Sequence, residues 1–581
     1  MNGFSQNLIS YTKAAGAGVK ELKHLSLSRL RKVFSLMGKR EKIALLCLAT
    51  VATGSFYFSL HNFYYAHTSP APDQGGTYSE GLLSQPTYIN PLLDSNEPDL
   101  SLTSLIYSGL YKYDTQGQLV PDLAESLPTI SDDQKQYTIQ LKQNVKWHNG
   151  KTFNADDVVF TIQTLQDPSY KSPLRALWSS TSVEKLSDYS VKFTTKEVAA
   201  PFVNNLTLSI LPQSIWSQVD AQNFLLSKFN LAAIGTGPYA IKEIKKLPSG
   251  KVEQISLQAF NDYYAGAPKI QQLTFHFYDT EEDMLNAFHS REIQGFGFIP
   301  LGSNLFLDKD QQDAKIITTP LPQYQEVFFN LNNKILSDQN VRTALSLATD
   351  KKQIIEKVFN NNALLPNSPF LLDNGRTPIN SDFDLSQAEK LLDEDGWKVD
   401  SKTGLRTKKS QTLSINLATN DTLVNSNAAG LLADQWRKLN IKVDLSVLPS
   451  KQLSDKMIKT RTFDALLFPQ KFGADPDPFL FWHSSQVKDP GFNLTGFSDA
   501  GADKLIIDAR TTMDKTERTS DYQQFNDLVM SKTPIIFLDQ TEYIYAADSE
   551  VKNIQLPVLY DPSYRFNNIN NWYINEKRVW K

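Results

Sequence analysis

Cysteine is almost missing: the 581 residues contain one, Cys47. A lone thiol forms no intramolecular disulfide and no thiolate metal cluster, and because Cys47 sits in an apolar N-terminal run, the rest of the chain has no thiol nucleophile. No GxxxxGK[ST], GxSxG or HExxH run occurs, which removes the sequence signals for a phosphate-binding loop, a nucleophile elbow and a zinc protease. His148, His276, His289 and His483 show no metal-ligand spacing. Gly235 to Ala240, GTGPYA, matches GxGxxA only superficially. Pro238 and the missing downstream pattern of a βαβ unit argue against a dinucleotide site, so the segment reads as a turn entering a strand. There is no repeat and no low-complexity tract. The expectation is therefore a chain with no cofactor, no metal and no catalytic constellation.

Excess charge is also scarce, with a net of -4, but its distribution is uneven. Residues 1–65 hold nine Lys/Arg against two Asp/Glu, so the remainder carries a net -11. An acidic body does not suit tracking of phosphates, so nucleic acid is not an expected partner. Hydrophobic residues at 41% and aromatics at 11% fit an extensive packed interior, and the length exceeds one hydrophobic core.

Ile43 to Leu60 has no charged residue. As a helix those residues extend roughly 27 Å, close to the hydrocarbon thickness of a bilayer. Phe63, Tyr64 and Tyr65 follow as interfacial aromatics, and Lys39, Arg40 and Lys42 precede the run. The positive-inside rule then keeps residues 1–42 in the cytoplasm as a basic segment, makes 43–65 a single-pass anchor in the cell membrane, and places the body outside, extracellular or periplasmic. A cleaved signal peptide competes with this reading, although about 42 residues is long for its basic region. Lipidation at Cys47 is disfavoured because Leu46 is not a small residue. Leu30, Val33, Phe34 and Met37 have the spacing of an amphipathic surface helix, or of a merely solvated segment. Residues 66–76, rich in Pro and Gly, read as an irregular linker.

The body alternates strand and helix signals. Tyr137, Ile139 and Leu141 form one strand face; Asn149-Gly150 supplies a turn; Asn154 caps a helix whose stripe is Val158, Ile162 and Leu165. Asp338 and Asp350 precede two further helices, Ala388 to Leu392 makes a helical face ending near Gly396, and Ile441 to Val447 alternates as a strand after a helix around 431–439. The class is α/β with mixed sheets.

These blocks carry a resemblance. GTYSEGLLSQPTYINPLL (Gly76 to Leu93), LIYSGLYKYD, PDLAESL, YTIQLKQNVKWHNGKTFNADDVVFTI (Tyr137 to Ile162), GTGPY, VRTALSLATDKKQI, AEKLLDEDGW and DPDPFLFWHSSQ follow in an order that resembles the family 5 solute-binding proteins of ABC importers. That group includes dipeptide-, oligopeptide- and nickel-binding proteins. The resemblance implies a bilobed periplasmic-binding-protein type II fold with an extra subdomain, preceded here by a transmembrane helix. It implies lobe I over 77–325 with an inserted subdomain at about 110–225, lobe II over 326–545, and a return to lobe I over 546–581. The implied function is capture of di- or oligopeptides for a membrane permease and ATPase by a monomer that is not itself an enzyme. Another solute (oligosaccharide, opine or metal chelate), peptide sensing at the surface and extracellular hydrolysis stay open as rivals.

Holding a peptide's buried ammonium requires a paired carboxylate. Asp475 is the first candidate and Asp477 the second, in a Pro-rich loop that resembles the family's acidic amine site; turn shaping or helix capping is the alternative for both. Leu83 and Ser84 are candidates for backbone contact along the cleft. Trp482 and Asn493 are candidates for its lining, with core packing and loop satisfaction as their alternatives. Phe328 and Asn330 are expected at the crossing into the second lobe, and Trp147 and Trp178 as packing residues.

Overall fold

The structure, a computed structural model, describes residue 32 and residues 34–298, 314–366 and 383–581. The chain divides into two units, one ending at Pro72 and including Glu576–Lys581, the other spanning Asp73–Asn575. Leu30 and Val33 lie outside the described residues.

The first unit is built on the helix Lys39–His67, whose 29 residues run about 44 Å at 1.5 Å each. It has a mean hydropathy of 1.8 over its most apolar stretch and buries none of its side chains. The sequence expectation of an irregular segment from residue 66 needs correction. The helix continues to His67, and Thr68–Pro72 then pairs antiparallel with Glu576–Trp580. A two-stranded ribbon is all edge, so Pro70 and Pro72 can lack N–H groups without leaving an inner ladder incomplete. Arg578 fixes the junction: its guanidinium donates to Thr68 Oγ1 and to the carbonyls of Tyr65 and Thr68, and lies 4.1 Å from the Tyr65 ring centroid. Lys581 N–H donates to the His67 carbonyl at 2.9 Å.

The second unit is mixed α/β around an eleven-stranded sheet. From one edge its strands are Lys442–Leu448, Ser414–Asn420, Ala465–Lys471, Ala314–Phe329, Ile535–Asp548, Gly295–Phe298, Thr77–Leu83, Gln272–Tyr278, Val252–Ala259 and Tyr239–Lys246, with Ala363–Leu364 added beside Ile535–Asp548. Two of these strands are long, Ala314–Phe329 and Ile535–Asp548, and they pair antiparallel with a register shift between Pro320 and Tyr324. The buried apolar side chains change company along them. Leu321, Tyr543 and Tyr545 belong to a core built mainly from residues 78–277 and 543–572. Val327, Phe329, Ile536 and Leu538 belong to another, built from residues 327–538. Phe328 packs beside it with Tyr324, Phe472 and Trp482.

Local chemistry sets the elements. Asn154 accepts from Asp156 N–H while Asp157 returns a bond to Asn154 N–H, a capping box that starts the helix Ala155–Gln166. Asp338 and Asp350 cap Gln339–Leu347 and Lys351–Phe359. Tyr137 and Ile139 are buried on the strand Gln136–Gln140, within a separate four-stranded sheet that spans 129–195 and shares the first core through Phe193 and Trp178. In Lys442–Leu448 only Val443 is buried, and Leu445 and Val447 are exposed, because this strand forms the sheet edge. The GTGPY turn leads into Tyr239–Lys246, as its sequence indicates. Gly235 and Gly237 press against the Ile106 main chain so closely that a Cβ at either would collide with its carbonyl. His148 clasps the turn, its Nε2 donating to Gly237 O and its Nδ1 accepting from Gly235 N–H.

Candidate functional site

A cavity of about 500 Å³ opens inside the second unit. It is lined by the helix Glu97–Ile106 and the stretch 107–112 that follows it, by the loop 207–209, by the turns Pro562–Phe566 and Ile569–Asn571, and by the end of the strand Ala465–Lys471, among other residues. Asn96 caps the helix by accepting from Asp99 N–H at 2.9 Å. Asp99 in turn accepts from Thr87 and Tyr88 N–H at 2.6 and 2.9 Å, which fixes the approach of the loop before it. Asp561 caps the turn Pro562–Phe566 through Ser563 N–H at 3.0 Å.

The walls carry three carboxylates, Asp94, Asp122 and Asp561, and two ammonium groups, Lys112 and Lys471. Lys112 Nζ lies 3.0 Å from Asp122, which also accepts from Tyr264 OH at 2.7 Å. Lys471 Nζ lies 2.6 Å from Asp561. Burial acts to raise the Asp561 pKa, but Lys471 and the Ser563 bonds win and hold it below the ordinary carboxylate range. Asp94 has no salt bridge among the described residues. Burial, with Asp99 and Asp561 nearby, pushes it up to about 7.

The same turn carries Arg565, which anchors this side of the cavity. Arg565 and Glu80 are both 0% exposed. The guanidinium donates to Glu80 Oε1 through Nε at 2.9 Å and Nη2 at 2.6 Å, while Tyr78 and Tyr545 hydroxyls donate to Oε2 at 2.9 and 2.7 Å. Two strands are thereby tied to the turn. Arg565 Nη1 also lies 3.6 Å from Glu97, whose carboxyl burial pushes up to about 7 despite that cation.

None of the candidate binding residues named from the sequence lines this cavity. Asp475 is held elsewhere, by Arg518 Nη2 at 2.5 Å, Asn204 Nδ2 at 2.8 Å and its neighbour Asp477 N–H at 3.0 Å. Asp477 meets Arg510 Nε at 3.0 Å and caps the following turn through Phe479 N–H, and burial raises its pKa. Both carboxylates thus have arginine partners from the helices Ala500–Thr511 and Lys515–Ser531. Trp482 is 1% exposed and packs against Phe497 and Phe525. Asn493 is fully buried and satisfied by its own loop, donating to the carbonyls of Trp482, His483 and Phe497 and accepting from Thr495 and Gly496. Leu83 packs on the small cluster around Met284 and Phe288. Ser84 is exposed at φ +64°, its N–H donating to Tyr278 O. The sequence reading missed Asp94, Lys112, Lys471 and Asp561. Asp94 directly follows the block ending at Leu93, but a lone aspartate after an Asn-Pro turn carries no signal of the cavity it faces.

Residues 118–491 match the family model described as bacterial extracellular solute-binding proteins, family 5. The oligopeptide-binding protein AppA of Bacillus subtilis is 28% identical over 553 residues, covering 92% of this chain and 99% of the relative. Its structure in complex with a nonapeptide superposes with a TM-score of 0.69 at 26% identity, covering 87% of this chain and all of that one. The ABC transporter substrate-binding protein CtaP of Listeria monocytogenes gives a TM-score of 0.73 at 27% identity, covering 86% and 99%. The architecture is that of the mixed α/β periplasmic binding proteins.

Proposed function

The chain belongs to the family 5 bacterial extracellular solute-binding proteins, and we propose on that premise that it captures peptides and delivers them to an ABC permease driven by an ATPase subunit. The observation that carries this reading is the cavity of about 500 Å³, whose walls mix apolar surface with hydroxyls and charged groups of both signs. Small-molecule and cofactor sites run from about 300 to 1,000 Å³. A zwitterionic ligand with a donor- and acceptor-rich main chain and apolar side chains suits such mixed walls better than a purely apolar one. The likeness to AppA, solved with a nonapeptide, supports the same substrate class.

In this reading the two cores are the cores of two lobes, 77–325 with its insertion at about 110–225 and 326–545, with 546–581 returning to the first. The long strands are the hinge. Three contacts hold the closed form: Lys471 to Asp561, Asn204 to Asp475, and Ala200 N–H to Arg510 O at 2.9 Å. Asp475 then serves as a latch between the lobes rather than as a free counter-ion, and Asp477 stiffens the latch loop. Ligand shifts the population toward closure in proportion to its preference for that state. The helix Lys39–His67 anchors the protein in the membrane with its basic N-terminal segment inside the cell, and the body binds without cleaving.

Calorimetry on the full chain in nanodiscs, with peptides of two to nine residues and a panel of oligosaccharides, tests the assignment. Peptides should bind and be recovered intact by mass spectrometry. Sugar binding without peptide binding, or cleaved peptide, would overturn it.

A further inference from the structure

The two ammonium groups on the cavity wall each have a carboxylate, which leaves one negative charge over. Asp94 Oδ atoms make no hydrogen bond of ordinary geometry and no ion pair among the described residues, although the residue lines an open volume. Two further polar groups on the same wall point to a guest. Thr103, 5% exposed, and Tyr107, 2% exposed, both line the cavity, and among the described residues neither Thr103 Oγ1 nor Tyr107 OH makes a well-formed hydrogen bond, although Tyr107 OH approaches the Ile234 main chain. Thr103 Oγ1 approaches the Asp94 carboxyl closely enough to lower its pKa against the burial, but short of a well-formed bond. The charged and titratable groups that face Asp94 are Asp99, Asp561 with its Lys471, Tyr107 and Tyr564. All but Lys471 are acids, and Lys471 is already taken.

Resting on the peptide reading above, we propose that Asp94 is the ligand-binding carboxylate of this protein and that its cavity selects peptides presenting a cationic nitrogen, an α-amine or a basic side chain, with Thr103 Oγ1 and Tyr107 OH completing the shell. A guest cation converts a buried acid that is costly to ionise into a paired one. Because burial pushes Asp94 up to about 7, binding a cation expels its proton, and affinity rises with pH through that region. The same step explains why the wall tolerates a carboxyl facing other acids in the unliganded protein: it is protonated much of the time near neutrality.

The test is calorimetry on the full chain with three probes: Ala-Ala-Ala, N-acetyl-Ala-Lys-Ala and the uncharged-side-chain control N-acetyl-Ala-Gln-Ala. At least one cationic probe should bind wild type more tightly than the control, and the two cationic probes distinguish the amine from the side chain. Asp94→Asn, nearly isosteric, should weaken that probe by about a hundredfold or more, the usual cost of orphaning a buried charge, and change the control less than about threefold. N-acetyl-Ala-Lys-Ala keeps its side-chain charge from pH 6 to 8, so its wild-type affinity should rise about tenfold over that range, with no such rise in Asp94→Asn. Asp94→Ser, checked by its melting curve, should repeat the result. If peptides bind wild type and the Asn and Ser variants hold the cationic probe equally well, the assignment of Asp94 is wrong. If no peptide binds wild type at all, the peptide reading itself fails.

Discussion

Replacing Arg565 with Met should unfold the first core far more easily than a surface substitution would. The guanidinium is fully buried and makes two bonds to Glu80 Oε1, one to the Pro562 carbonyl at 2.8 Å, and a longer approach to Glu97. Methionine fills much of the volume but leaves the Glu80 carboxylate, also 0% exposed, with only the Tyr78 and Tyr545 hydroxyls. Orphaning one partner of a buried ion pair costs about 3–5 kcal/mol. The two hydroxyls, at about 1 kcal/mol or more each toward a charged acceptor, place the expected loss toward the lower end of that range. Glu80→Gln should cost a similar amount by leaving the arginine uncompensated. The double variant should recover much of the loss, giving a coupling energy of at least about 2 kcal/mol in a double-mutant cycle. Urea denaturation of the full chain in nanodiscs, followed by tryptophan fluorescence, reads this, since Trp572 packs on Tyr78 and Tyr545 at the same place. Single-variant losses below about 1 kcal/mol, or strictly additive effects, would refute the view that this pair ties the strands Thr77–Leu83 and Ile535–Asp548 to the turn below the cavity.

Burial depresses His148 to about 4 against 6.5 in an open chain, so the unfolded form takes up the proton first. Its contribution is present above about 6.5 and lost as pH falls toward 4, up to about 3 kcal/mol, and a His148→Gln variant should lose less stability over that window in urea titrations. Asp94 has the opposite sign: its folded pKa is raised, so its contribution is present below about 4 and lost as pH rises toward 7. Asp94→Asn should therefore be more stable than wild type by about 2–4 kcal/mol at pH 8 and nearly equal at pH 4. Deleting Glu576–Lys581 removes the whole partner strand of Thr68–Pro72, and limited proteolysis should then cut between His67 and Asp73 much faster than in the intact chain; unchanged cutting would mean the ribbon adds no protection.

Local features were legible wherever one residue does the work within a few neighbours. The caps Asn154, Asp338 and Asp350 stand where the sequence places them, because a side-chain acceptor two or three residues before free N–H groups is a short-range signal. Alternation at Ile441 to Val447 signals a strand but not its place in a sheet, and Leu445 and Val447 proved exposed at the edge. Long-range electrostatics were invisible. Nothing near Asp475 announces Arg518, and Glu80 and Arg565 are 485 positions apart. The acidic Pro-rich loop offers two carboxylates, and only the fold shows that Arg518 meets Asp475 and Arg510 meets Asp477. Thr68–Pro72 misled because prolines argue against strands in general, whereas a two-stranded ribbon has no inner position for them to spoil.

Glu576–Trp580 zips onto the segment that leaves the helix, so this ribbon joins two stretches about 500 positions apart and closes only once the later one has been made. A purification tag fused after Lys581 would emerge beside Ala66 and His67, crowding the very place where the helix ends. A tag there is a poor neutral handle, and a truncation before Glu576 would leave Thr68–Pro72 without its partner strand.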